Sequence, residues 1–102
     1  MSRYIQALTG YNKNNKGKVI WFRATTQSNL VMDSLQRILF DEVLEYGYKI
    51  VTPKEIKNNL ESYKPFMNCF NSKTKEDIIN SINELIFKVE KYKIKYILFK
   101  MG

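Results

Sequence analysis

The chain has 102 residues, of which 44% are hydrophobic and 26% are charged, a balance typical of globular rather than disordered proteins. Its formal net charge is +7 at pH 7, and it contains one cysteine and no histidine. Zinc sites of the Cys/His type and nucleophiles activated by histidine are therefore excluded. The length predicts one domain that spans residues 1–102.

The sequence shows no apolar run long enough to span a membrane, and from its first residues we expect no signal peptide. Cys69 cannot form an internal disulfide, so we expect a reducing compartment and a cytoplasmic location. Because Cys69 stands among apolar residues, we also expect its thiol to be buried. The abundance of Lys, Asn, Ile and Tyr is typical of AT-rich genomes, such as those of low-GC bacteria and their phages.

The first part of the chain predicts a β-hairpin. Residues 3–11 and 18–26 are rich in β-branched and aromatic side chains, which strands favour. The segment 12–17 between them is polar and ends in glycine, so a turn longer than the minimal one should join the strands.

The next segment predicts a helix over 27–46. Apolar residues recur there at helical spacing, and an acidic strip of Asp41, Glu42 and Glu45 should face water. Thr26 or Ser28 is the expected N-cap. Gly47 follows the periodic pattern and is the expected C-cap.

Residues 48–51 predict a short strand, and the segment from Thr52 to Glu55 has the pattern of a capping box. The helix that it starts should cover 53–63, because Pro65 is expected to end it. A loop is predicted over 64–73.

A third helix is predicted over 74–91, with Thr74 as its N-cap, and a final strand over 92–101. The expected fold class is therefore α+β. A small antiparallel sheet, made of the N-terminal hairpin and the C-terminal strand, should be covered on one face by two or three helices.

Both ends of the chain carry its positive charge. The first acidic residue is Asp33, and every charged residue before it is basic. After Lys88, lysines again predominate, and Glu90 is the only acidic residue among them. If the two ends pair in one sheet, one face or edge becomes basic, which favours an anionic partner, with nucleic acid the leading candidate.

Helices on one face leave the other face of the sheet to solvent, and side chains alternate between the two faces. On the second strand we expect Trp21 and Arg23 outside and Phe22 inside, since an arginine favours the solvated set. On the last strand we expect Lys93 and Lys95 outside. A surface that mixes rings and cations is typical of proteins that bind single-stranded nucleic acid.

The predicted partner-binding residues are the basic and aromatic side chains of the two chain ends. They are Arg3, Lys13, Lys16, Lys18, Trp21, Arg23, Lys91, Lys93 and Lys95. We predict no catalytic residue, metal site or cofactor.

Structural explanations compete with this surface. A single tryptophan in a strand is more often part of a core, and lysines on an edge strand also prevent aggregation. A buried Trp21 would leave the lysines as the only support for nucleic acid and would favour a protein partner. A further aromatic set is expected to build the core rather than a ligand pocket: Tyr46, Tyr48, Tyr63, Phe66, Phe70, Tyr92 and Tyr96.

We therefore expect a small basic protein without enzymatic activity that contacts nucleic acid or a nucleoprotein complex through a basic and aromatic sheet face. The alternative is a protein-directed binder on an acidic surface, for example a phage-encoded inhibitor of a CRISPR effector or a host nuclease. An enzyme, such as a nuclease that uses carboxylates and lysine, is least favoured, because no spacing supports a catalytic set. The sequence does not predict an oligomeric state.

Overall fold

The computed structural model describes residues 3–9, 17–25 and 29–102, which form an α+β fold. The four strands make one antiparallel sheet in the order β2-β1-β4-β3. The predicted hairpin and the final strand therefore do share a sheet, side by side. In chain order the elements are β1 (Arg3–Thr9), β2 (Lys18–Thr25), α1 (Asn29–Phe40), β3 (Gly47–Val51), α2 (Pro53–Met67), α3 (Ser72–Lys91) and β4 (Ile97–Met101).

The core lies between the helices and one face of the sheet. Ile5, Trp21 and Phe99 come from three neighbouring strands, and they form one buried cluster with the apolar sides of all three helices. These helices are amphipathic, so each one buries a stripe such as Ile78, Ile82 and Leu85 of α3 and leaves its charged side to water. We call the sheet face turned away from this cluster the open face.

α1 is shorter than predicted. It ends at Phe40, and Asp41 follows in the left-handed region with φ 57°. The link 41–46 then returns towards α1, where the Leu44 N–H donates to Gln36 Oε1 at 2.6 Å. Gly47, with φ 123°, begins β3 rather than capping the helix. The predicted caps Thr26 and Ser28 lie outside the described residues.

The predicted capping box of α2 is confirmed. Thr52 Oγ1 accepts from the Glu55 N–H, and Glu55 Oε2 accepts from the Thr52 N–H, both at 3.3 Å. α2 nevertheless continues through Pro65, which costs one hydrogen bond in the last turn and allows Met67 to be fully buried. The loop predicted over 64–73 is therefore reduced to 68–71.

α3 begins earlier and the last strand later than predicted. Asn71 is the N-cap, since its Oδ1 accepts from the Thr74 N–H at 2.8 Å. At the other end, the Ile94 N–H donates to the Val89 carbonyl and the Lys93 N–H to the Glu90 carbonyl. This is the hydrogen-bond pattern of a Schellman motif, with Lys93 in the left-handed region at φ 53°. Residues 92–96 therefore form a connection, and β4 starts only at Ile97.

Several aromatic residues that we predicted for the core are mostly exposed: Tyr46, Tyr48, Phe66, Tyr92 and Tyr96. Cys69 is also exposed, contrary to the prediction, because it lies in the turn between α2 and α3. Tyr63 and Phe70, by contrast, pack against the core as expected. None of the helices in the described part of the chain is both long enough and apolar enough to cross a membrane.

Candidate binding surface

β2 is oriented opposite to the prediction. Trp21 is only 4% exposed and stands opposite Ala7 in the core. Arg23 shares its face and makes a bidentate pair with Asp77 of α3, at 2.9 and 2.6 Å, together with a hydrogen bond to Ser81 Oγ at 2.9 Å. The prediction failed because the helix supplies a carboxylate for the arginine, so the charge of Arg23 does not require the solvated face.

Arg3 has a similar structural role on β1. Its guanidinium donates to Asp33 Oδ1 of α1 at 2.7 Å, on the helix side of the sheet. Arg3 and Arg23 thus connect the two strands of the hairpin to two different helices. Neither arginine belongs to the open face.

On β4, too, the side chains that we predicted to face solvent are the ones buried against the helices. Ile97 and Phe99 are fully buried against the helices, whereas Lys100 lies on the open face. Lys93 and Lys95, which we predicted on this face, lie in the connection before β4. Residues 92–96 are not part of a strand, so the alternation of side chains between the two faces begins only at Ile97.

One row of side chains crosses the open face on all four strands. Phe22 of β2 is opposite Gln6 of β1, Gln6 is opposite Lys100 of β4, and Lys100 is opposite Tyr48 of β3. Phe22 and Tyr48 are 53% and 61% exposed. Lys100 therefore lies in the middle of a row that has an aromatic ring at each end.

Tyr4 adds a third ring to the open face. Its ring stacks on Phe22 with a centroid separation of 5.9 Å and an interplanar angle of 26°. The backbones of Tyr4 and Gly102 exchange two hydrogen bonds, and a Cβ on Gly102 would stand 2.5 Å from the Tyr4 ring. The absence of a side chain at Gly102 thus leaves room for this ring beside Phe22.

The neighbouring row of the open face is entirely apolar. Val19, Leu8, Leu98 and Ile50 follow one another across the four strands. The two central leucines are only 9% exposed and yet do not belong to the core cluster under the helices. The outer members, Val19 and Ile50, are 47% and 65% exposed, so the row presents apolar surface at both edges.

The acidic residues of the protein are absent from the sheet. None of the four strands contains an aspartate or a glutamate. Every acidic residue lies on a helix or in the link 41–46. Among the described side chains of the open face, Lys100 carries the only charge, and that charge is positive.

The remaining lysines of the predicted site gather at one end of the sheet. β4 begins at Ile97 opposite Val51, and the paired residues Thr9 and Lys18 lie at this same end. The connection 92–96 reaches the sheet there as well. We call this region the basic end, and its lysines are Lys18, Lys91, Lys93 and Lys95. Lys13 and Lys16 lie outside the described residues.

The sequence interpretation missed the side chains that occupy the open face, above all Phe22, Tyr48 and Lys100. One signal for them was present, because Ile97, Phe99 and Met101 form an alternating apolar triplet that requires a buried face. That triplet places Lys100 outside.

No cluster of three or more His, Cys, Asp or Glu side chains suited to a metal ion occurs among residues 3–9, 17–25 and 29–102. No protein-family model, curated protein or solved structure matches the chain. The function must therefore be inferred from the geometry and charge of the open face.

Proposed function

We propose that this protein is a non-enzymatic binder of single-stranded nucleic acid, which lies across the open face of the sheet. The observation that carries the proposal is the row from Phe22 to Tyr48 with Lys100 between the rings, on strands that contain no acidic residue. Exposed rings beside cations and away from carboxylates suit a ligand made of flat bases and phosphates.

The rings provide two separate places for bases. Phe22 and Tyr4 form a stacked pair on β1 and β2, and Tyr48 lies on β3, three strands from β2. Strands are spaced by about 4.8 Å, so the two places are about 14 Å apart. A base that stacks on an exposed ring contributes ~1–3 kcal/mol, and any base can do so, which implies little sequence preference.

The lysines of this surface would contact the phosphates of the ligand. Lys100 lies between the two ring positions, and the basic end continues the positive surface beyond the sheet. Phosphate contacts of this kind attract nucleic acid of any sequence and weaken as salt is added. Arg3 and Arg23 are not assigned to this role, because both are engaged by carboxylates of the helices.

The burial of Trp21 removes one expected stacking residue but does not leave the lysines as the only support. Phe22, the next residue of β2, takes the position that we expected Trp21 to hold. Tyr4 and Tyr48 add rings on two further strands. The open face therefore retains rings for stacking, although Trp21 is not one of them.

The test is fluorescence anisotropy of a labelled single-stranded oligonucleotide titrated with the protein. Phe22→Ala and Tyr48→Ala should each raise the Kd by about 5- to 150-fold, which corresponds to ~1–3 kcal/mol. Phe87→Ala is the matched control, because Phe87 is 65% exposed but belongs to α3. Equal Kd values for all three variants would remove the open face from consideration.

A second candidate is a protein-directed binder, and the apolar row with Val19 and Ile50 at its ends favours it. Exposed apolar side chains on adjacent strands are typical of protein interfaces. Such a partner would present an acidic surface, because the open face itself is positive. This candidate predicts that any binding of oligonucleotide at low salt is unaffected by Phe22→Ala and Tyr48→Ala, so the same titration separates the two functions.

A further inference from the structure

The sheet has two edge strands, and the structure treats them differently. On β2, the pairing with β1 shifts between Ala7 and Leu8, which leaves Ile20 as the bulged residue. Lys88 of α3 donates its Nζ to the Ile20 carbonyl at 2.9 Å. A bulge and an occupied backbone carbonyl discourage the addition of another strand at this edge.

Within the described part of the chain, β3 has neither a bulge nor a backbone carbonyl bound by a side chain, and its only charged residue, Lys49, is paired with Glu42. It pairs with β4 over Gly47–Val51 in regular register, without a bulge or a proline. Outside this ladder, its described contacts include the ion pair between Lys49 and Glu42 but no backbone hydrogen bond. Tyr48 and Ile50 are both more than 60% exposed, so the edge presents a free backbone and two large side chains.

We propose that a second copy of this chain occupies this edge, and that β3 of each copy pairs antiparallel with β3 of the other. A two-fold axis at Lys49 places Tyr48 opposite Ile50 of the second copy, and the symmetry repeats this pair. An aromatic residue opposite a β-branched residue is a favourable cross-strand pair. The strand is thus self-complementary around its central residue.

The charges on and beside β3 act in opposite directions in this arrangement. The two Lys49 side chains stand opposite each other at the axis, on the helix side of the sheet, and their like charges disfavour pairing. Each Lys49 is paired with Glu42 of its own chain, which reduces this cost. Residues before Gly47 lie beside those after Val51 of the second copy. The acidic link, with Glu45, and the first turn of α2, with Lys54, lie just beyond opposite ends of β3, so the antiparallel arrangement brings opposite charges to the same ends of the paired strands.

The dimer would have one continuous eight-stranded antiparallel sheet, since each copy contributes four strands. The two open faces would lie on the same side, with the two Tyr48 rings close to the axis. Pairing through a five-residue strand buries little surface, so the dimer should be of low affinity. The inference concerns self-association and does not depend on the proposed binding of nucleic acid.

The experiment is sedimentation equilibrium over protein concentrations from about 1 μM to about 1 mM, the range of low-affinity association. The expected result is a rise from the 12.1 kDa monomer towards twice that mass. Ile50→Lys places a charge opposite each Tyr48 and should raise the dimer Kd by about tenfold or more. The far-ultraviolet circular dichroism of this variant should be unchanged, because Ile50 points to solvent.

Val19→Lys is the matched control. Val19 ends the same apolar row at the other edge of the sheet, so this substitution should leave the dimer Kd unchanged. A wild-type protein that stays monomeric throughout the range would overturn the proposal. A dimer weakened equally by both substitutions would overturn it too, because that result indicates association face to face.

Discussion

Lys93 combines backbone strain with a charge at the basic end. It occupies the left-handed position of the Schellman motif that ends α3, where φ is 53°. Glycine is the usual residue there, because a side chain costs ~1–2 kcal/mol in this conformation. A lysine at this position therefore lowers the stability of the helix end.

Because of this strain, replacing Lys93 by glycine should have opposite effects on stability and on binding. Lys93→Gly should raise the free energy of unfolding by about 0.5–1 kcal/mol, since relief of the strain exceeds the greater entropy of glycine in the unfolded chain. The same variant should bind oligonucleotide more weakly, because it removes a cation from the basic end. Urea denaturation and anisotropy measure the two effects.

Lys93→Ala is the control for this prediction, because it removes the charge and keeps a Cβ at the strained position. It should weaken binding as Lys93→Gly does, without the gain in stability. If the glycine variant were not more stable than the alanine variant, the left-handed conformation of residue 93 would be wrong.

Individual residues also show the limit of prediction from the sequence. Alternation correctly placed Trp21 and Arg23 on one face, because the strand is regular from Trp21 to Thr25. It could not tell which face the helices cover. That choice depends on Asp77, which lies far along the chain and receives the Arg23 guanidinium.

At the scale of elements, local signals were sufficient where they are chemically specific. The capping box at Thr52 and the hairpin strands were predicted from a few neighbouring residues, and the structure has them. Element ends were less predictable, because tertiary contacts set them. Burial of Met67 extends α2 past Pro65, and the turn at Lys93 shortens the last strand.

The orientation of β2 and β4 predicts that two equal changes of charge will have different effects. Lys100→Gln should raise the Kd for oligonucleotide, because Lys100 is central to the open face. Arg23→Gln removes the same charge from the helix side and should leave the Kd nearly unchanged. It should instead lower the free energy of unfolding by about 1 kcal/mol, since the pair with Asp77 is partly exposed.

Anisotropy and urea denaturation of both variants check this contrast. If Arg23→Gln weakened binding as strongly as Lys100→Gln, net charge alone would govern the interaction. The face of the sheet on which a cation lies would then have no importance for binding.

At the scale of the whole molecule, the fold places the acidic residues outside the sheet. The acidic residues all fall between Asp33 and Glu90, within the helices and the link 41–46. The strands come largely from the chain ends and carry only basic charges. An anionic ligand is therefore attracted towards the sheet and the basic end, where the strands contain no acidic residue to repel it.

This polarity predicts how binding responds to salt. The logarithm of the binding constant should fall linearly with the logarithm of salt concentration, by ~0.7 for each phosphate of a single strand that is neutralised. The double change Lys93→Glu and Lys95→Glu removes two such cations and should lower the slope by about 1.4.

The matched control reverses the charges of Lys73 and Lys75, which lie in the first turn of α3, most of its ~30 Å length away from the basic end. That control has the same net charge, so it should bind more weakly through its overall field but retain the slope of the wild type. Titrations between 50 mM and 200 mM salt measure all three slopes. Equal slopes for the two double variants would mean that the ligand responds to total charge and does not contact the basic end.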